Sequence, residues 1–157
     1  MNQSGVIISR GDPRSREATS LLQASHALMG SLFPAESNHY LSVDALCVPE
    51  IHFFVAQVGG AVKGCVALAD KGQYAEVKLM FVDPAARGQS IGAALIAHVE
   101  IEARALQFAE LKLETGYLLS DAHRLYERAG FTYCGPFGAY PEDPNSRYMT
   151  KSLRDVF

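Results

Sequence analysis

The chain has 157 residues, 48% of them hydrophobic and 20% charged, with a formal net charge of -3 and no run of Lys or Arg. Such a length buries enough surface to stand alone, so residues 1–157 are read as a single domain; the composition excludes a disordered or collagen-like chain, and the lack of clustered cations excludes the footprint of a nucleic-acid binder. No apolar stretch approaches the roughly 18 residues that span a bilayer, and Met1 to Gly11 lacks the charged and apolar regions of a signal peptide, so a cytoplasmic protein without a membrane partner is expected.

Val6 to Ser9 reads as a strand, and Gly11-Asp12-Pro13 precedes a helical pattern with Leu21, Leu22, Leu28, Met29 and Leu32 on one face. Pro34 and Glu36-Ser37-Asn38 break that helix, and Ser42 can cap a second short one carrying Ala45 and Leu46. Cys47, Cys65 and Cys134 share no metal or redox spacing and are read as buried thiols. Ile51 to Val58 and Ala61 to Ala69 are β-rich runs joined by Gly59-Gly60, a dipeptide suited to a tight hairpin turn. Tyr74 to Val82 is a further strand. From Ser90 to Leu106 a long helical pattern carries Ile91, Leu95, Val99 and Leu106 on one stripe, and Leu111 to Thr115 returns to strand. A short helix with Ala122, Leu125, Tyr126 and Ala129 on one face starts near Ser120 or Asp121 and stops at Gly130. Phe131 to Cys134 and Arg147 to Leu153 close the chain as strands, an order that suits an α/β mixed sheet covered by helices.

The chemistry concentrates in Val82-Asp83-Pro84-Ala85-Ala86-Arg87-Gly88-Gln89-Ser90-Ile91-Gly92, which leads from a strand end into the longest helix. A helix start carries N–H groups without internal partners and a partial positive charge, so it accepts an anion where side chains do not obstruct the backbone. Gly88 and Gly92 remove that obstruction and Arg87 adds charge. The lysine of a P-loop and a G-x-G-x-x-G pattern are both absent, which leaves a phosphate loop of another family.

Arg87-Gly88-Gln89-Ser90-Ile91-Gly92 resembles the R/Q-x-x-G-x-G/A pyrophosphate loop of the GNAT acetyltransferases, with Ser90 where the third anchor is normally glycine. Ala75-Glu76-Val77-Lys78-Leu79-Met80-Phe81-Val82 resembles the central strand of that family, and Leu125-Tyr126-Glu127-Arg128-Ala129-Gly130-Phe131 resembles its L-Y-E-x-x-G-F signature. The tail from Cys134 to Lys151 is similar to a bacterial GNAT subgroup. The resemblance implies a mostly antiparallel central sheet flanked by helices, acetyl-CoA as cosubstrate without a metal, and acetyl transfer to a primary amine of a small molecule or peptide. It implies cofactor contacts from Met80, Phe81 and Val82 on the strand and from Arg87, Gly88, Gln89, Ser90, Ile91, Gly92 and Ala93 at the loop and helix start. Homodimers are common among similar proteins, and no sequence feature assigns an oligomeric state.

The catalytic residues implied are Tyr126, as general acid toward the sulfur of coenzyme A, and Glu76, as base for the amine. Against these stand plainer readings: Tyr126 as an aromatic on a buried helix face, and Glu76 with Lys78 as a solvent-exposed ion pair. The asparagine often found seven residues before the signature tyrosine is Leu119 and takes no role. Tyr140, Glu142 and Asp143 lie in a loop where acidic groups would suit a cationic amine. Among His26, His39, His52, His98 and His123, only His39 falls near the expected substrate rim. Two other functions fit parts of the chain. Gly88-Gln89-Ser90-Ile91-Gly92 matches G-x-S-x-G, which would make Ser90 the nucleophile of a serine hydrolase, and a domain of this family could bind acetyl-CoA or CoA without turnover, as a sensor or interaction module.

Overall fold

The computed structural model describes residues 5–38 and 41–154; His39 therefore lies outside the described residues. The strands are β1 (Val6–Arg10), β2 (Ile51–Val58), β3 (Ala61–Asp70), β4 (Ala75–Val82), β5 (Glu110–Gly116), β6 (Thr132–Cys134) and β7 (Ser146–Ser152), and the helices are α1 (Arg16–Leu32), α2 (Ile91–Ala105) and α3 (Ser120–Arg128). The strands form one sheet in the order β1-β2-β3-β4-β5-β7-β6. Every neighbouring pair is antiparallel except β4 with β5.

Alternation along β2 sorts the core. Phe54 and Ala56 pack with Val66, Leu68, Val77, Leu111 and Leu113 beneath α2 and α3. Phe53 and Val55 point the other way and join Cys65, Ala67 and Phe81 beneath Ala18, Leu21 and Leu22 of α1. The two faces of the sheet thus carry different helices, which is what a period-2 pattern with both faces apolar dictates.

The hairpin forms as expected, with Gly59 at φ +59 and Gly60 at φ +83 supplying the positive φ angles of the turn. Gly130, at φ +98, ends α3 as expected. Three expectations are corrected. The segment after Ser42 is a 3-10 turn, Ala45–Cys47, although Ser42 Oγ does accept from the Ala45 N–H at 3.1 Å. Leu106 is 44% exposed instead of buried, because α2 ends at Ala105 and the chain turns away through Gln107 at φ 68. Cys65 is buried, but Cys47 and Cys134 are only half-buried. No helix among the described residues is long and apolar enough to cross a membrane.

Candidate active site

The parallel junction between β4 and β5 is short. Ala75, Glu76 and Val77 pair with Leu111, Lys112 and Leu113, and beyond Val77 no residue of β4 pairs with β5. On its other side β4 stays paired with β3 up to Val82, with an irregularity opposite Lys78, while β5 stays paired with β7 along its whole length. The two strands therefore diverge. Backbone groups on the β5-facing edge of β4, around Leu79 to Val82, are left without a strand partner and are available to a ligand.

A cavity of about 130 Å³ fills the divergence. It is lined by Ser25 and Met29 of α1, by Phe33 just after it, and by Leu119, Ala122 and Tyr126 at α3, with Lys78 to Met80 on one wall and Glu114 to Gly116 on the other. Because α1 and α3 cover opposite faces, the cavity passes through the sheet. It continues into a groove of about 490 Å³, also touching Met29, Met80, Leu119 and Ala122, bordered by Leu28 and Leu32 of α1 and Leu125 of α3, and running along Phe81, Val82, Arg87, Gly88 and Ser90 to Ala93.

Most of the expected cofactor contacts are thereby brought together: Met80, Phe81, Val82, Arg87, Gly88, Ser90, Ile91, Gly92 and Ala93 all line this groove, whereas Gln89 is exposed and does not. Gly88 takes φ +86, and Ser90 adopts the left-handed conformation at φ 62, ψ 24 that glycine would occupy. A left-handed L-residue costs about 1 kcal/mol or more, so this turn is held against a local penalty. Ser90 makes no side-chain capping bond to α2, which leaves the first-turn N–H groups to other partners. Gly92 lines the groove and also lets the helices approach: a Cβ there would lie 3.0 Å from Leu125 Cδ2, so its bareness serves the packing of α3 on α2 as well. The strand ends at Val82, well before Ser90, so the tight strand-to-helix turn of a hydrolase elbow is not formed.

Tyr126 is 6% exposed and tilts against Phe131 at 5.9 Å, yet it also lines the through-sheet cavity. Burial, helped by the Glu114 carboxylate, pushes its phenol well above the ordinary value, so it is a protonated donor at neutral pH. Glu76 lies elsewhere. It is 2% exposed, and its Oε2 accepts from the Tyr140 hydroxyl at 2.5 Å and sits 3.8 Å from Lys78 Nζ. Lys78 in turn donates to the Tyr140 hydroxyl at 2.6 Å. The expected alternative of a solvent-exposed pair is thus replaced by a buried network. Burial lowers the Lys78 pKa, against the opposing pull of Glu76. Glu76 lines a neighbouring pocket with Tyr74 and Tyr140 and is absent from the wall of the Tyr126 cavity; Lys78 touches both.

The carboxylate that does share the cavity with Tyr126 is Glu114, which sequence reasoning missed. Its Oε2 accepts from Ser146 Oγ at 2.7 Å. The alternation of Leu111 and Leu113 inward with Lys112 and Glu114 outward was the available signal, but only the divergence of the strands turns an outward residue into a cavity wall. The expected acidic loop pair does not reach the cavity either. Asp143 is held by Ser37 and by the Asn145 N–H, Glu142 is exposed, and Tyr140 holds Glu76. His123 contacts the Gly116 carbonyl at 2.9 Å and packs edge-on to Tyr133, a structural placement.

A groove ending on a helix start is thus joined to a cavity lined by a phenol and a carboxylate. Residues 49–133 match the family model of the acetyltransferase (GNAT) domain. Over 94% of this chain and 98% of its own length, the IAA acetyltransferase of Azospirillum brasilense is 44% identical, and the N-acetyltransferase YsnE of Bacillus subtilis (strain 168), itself uncharacterized, is 37% identical over 90% and 96%. A solved structure of a Klebsiella pneumoniae protein described as an acyl-CoA N-acyltransferase superposes with a TM-score of 0.81 at 28% identity, covering 97% of this chain and all of that one. The chain belongs to the GNAT acetyltransferase family. It is an acyltransferase, and acetyl-CoA is the donor its family uses.

Proposed function

We propose that the protein transfers the acetyl group of acetyl-CoA to a primary amine seated on the α1 side of the through-sheet cavity. The carrying observation is that one cavity, lined by both Tyr126 and Glu114, opens into the groove that runs to the Gly88–Ala93 helix start. The donor supplies an activated thioester carbonyl. Arg87, Gly88 and the first-turn N–H groups of α2 would hold its pyrophosphate, and the apolar groove wall from Leu28, Met29, Leu32 and Leu125 would cover its thiol arm. The unpaired backbone edge around Met80 to Val82 would offer an N–H to the carbonyl oxygen, a contact worth about 10²- to 10³-fold in rate.

Tyr126 holds its proton toward the departing sulfur. A phenol raised by burial is a weak acid, so it contributes chiefly as charge builds on sulfur, which is when donation lowers the barrier. An amine nitrogen becomes strongly acidic once it bonds to carbonyl carbon, and a carboxylate within the cavity then suffices as base. Glu114 stands on the cavity wall and takes that role here. Glu76, the expected base, would act on the reaction only by positioning Lys78 through Tyr140.

Thermal unfolding with and without acetyl-CoA tests the donor site first. A ligand at 100 times its Kd adds about 2.7 kcal/mol, which for this length is a rise of about 5 to 10 °C. Thiol release over an amine panel then tests transfer. No shift at millimolar acetyl-CoA would remove the donor site, and a shift without release on any amine would favour a binding domain.

A further inference from the structure

Given the acetyl transfer proposed above, we infer that the acceptor is an amine that also carries an acid group, and that Lys78 is the cation that receives that group. A break in β4 sets this residue apart. Ala67 of β3 pairs with Leu79 and Leu68 pairs with Val77, so Lys78 has no partner on β3 and is the extra residue of a bulge. The alternation of the strand changes phase there. Before it, Ala75 and Val77 pack beneath α2 and α3; after it, Met80 and Val82 do so, while Leu79 and Phe81 turn to the α1 side. Bulges re-aim a side chain, and this one falls at the first residue past the last β4–β5 pair, where the cavity begins.

The ammonium is held in place before any ligand arrives. The Lys78 side chain is 11% exposed and borders the cavity. Its Nζ donates to the Tyr140 hydroxyl at 2.6 Å and lies 4.9 Å from the centre of that ring, and the Tyr140 hydroxyl donates to Glu76 Oε2. Glu76 Oε2 is 3.8 Å from Nζ, an ion-pair separation beyond hydrogen-bond reach. An ammonium has three donors, so among the described residues this network fixes the charge with one of them and leaves two to what enters the cavity. A side chain already fixed loses little freedom on binding, and a carboxylate would meet it with a charge-assisted bond that a hydroxyl does not match. Glu114, the base proposed for the amine, stands on the opposite wall. A cation on one wall and an anion on the other complement a molecule with an acid at one end and an amine at the other. A second amine at the Lys78 end would instead meet a like charge, reinforced by that of Lys71, whose field also reaches Lys78.

Matched acceptors test this: glycine, β-alanine and 4-aminobutyrate against ethanolamine, 3-aminopropanol and 4-aminobutanol, with 1,3-diaminopropane as the dication, all read by thiol release. Wild type is expected to favour the best acid over its alcohol by about 30-fold in kcat/KM, the scale of a hydrogen bond to a charged group, and to use the diamine least of the three-carbon set. Lys78→Met is expected to reduce that preference by about tenfold through the KM of the acid, leaving the alcohol nearly unchanged, and Lys78→Arg, which keeps the charge, to retain most of it. Because Lys78→Met strands the buried Glu76 carboxylate, the double variant Glu76→Gln with Lys78→Met serves as a second carrier of the same expectation. An acid used no better than its alcohol or the diamine by wild type would overturn the inference while leaving acetyl transfer intact. So would Lys78 variants that slow acid and alcohol equally, the mark of a merely structural lysine. Release from no amine, acidic or otherwise, would overturn both. If neither Lys78→Met variant folds, the wild-type pairs and Lys78→Arg decide.

Discussion

The donor side and the acceptor side of this molecule are constructed by different means. The polar part of the donor groove is backbone, a strand edge released where β4 leaves β5, two positive-φ residues at Gly88 and Ser90, and the first turn of α2, within the stretch from Leu79 to Ala93, to which Leu28, Met29, Leu32 and Leu125 add an apolar wall. The acceptor cavity is side chain, gathered from α1, the turn after it, β5, α3 and the loop before β7. Ser37 and Asn145 meet across 108 residues of sequence. A backbone site tolerates substitution at most of its positions and so can serve one donor throughout a family. A side-chain site changes with each residue, which is how one scaffold comes to accept different acceptors.

The largest expected effect separates the two carboxylates. Glu114→Gln is expected to lower kcat by about 10²-fold, the usual scale of a general base, and to remove the acidic limb of the pH–rate profile. Glu76→Gln should keep that limb while losing stability, by about 3 kcal/mol for a buried pair deprived of one partner. If instead the limb disappears with Glu76, the base belongs to the buried network and the cavity wall is only a binding surface. Tyr126→Phe follows, with at least a tenfold loss in kcat and an unchanged acetyl-CoA thermal shift. Full turnover by that variant would reduce Tyr126 to a core aromatic. The smallest effect is expected at the rim: Gly116→Ala forces Phe33 aside and should cost about 1 to 3 kcal/mol by overpacking, together with a raised acceptor KM and an unaltered acetyl-CoA shift. A cofactor shift that fell with it would mean the two sides are less separate than their construction suggests.

That contrast also governs what could be read in advance. The hairpin at Gly59-Gly60, the helix stop at Gly130 and the groove residues from Met80 to Ala93 are local patterns, with each residue's surroundings a few positions away. Tyr126 was legible through the signature around it. Glu114 was not, because alternation in β5 makes it one more outward residue, indistinguishable from Lys112 until β4 departs. Likewise Asp143 looked like a charge offered to substrate, and it is occupied by Ser37, a partner no local pattern names. Leu106 failed for the opposite reason: its helical period was right, but the helix had already ended.

With three residue pairs as its entire β4–β5 ladder, the sheet is mechanically two half-sheets, an antiparallel β1–β4 meander and a β5-β7-β6 unit, sewn by a short seam. The proposed donor and acceptor both lie across that seam, so a bound ligand stands where backbone hydrogen bonds would otherwise continue. In the proposed reaction the donor's arm would therefore lie against β4 where a neighbouring strand would otherwise pair, taking the place of the missing stitches.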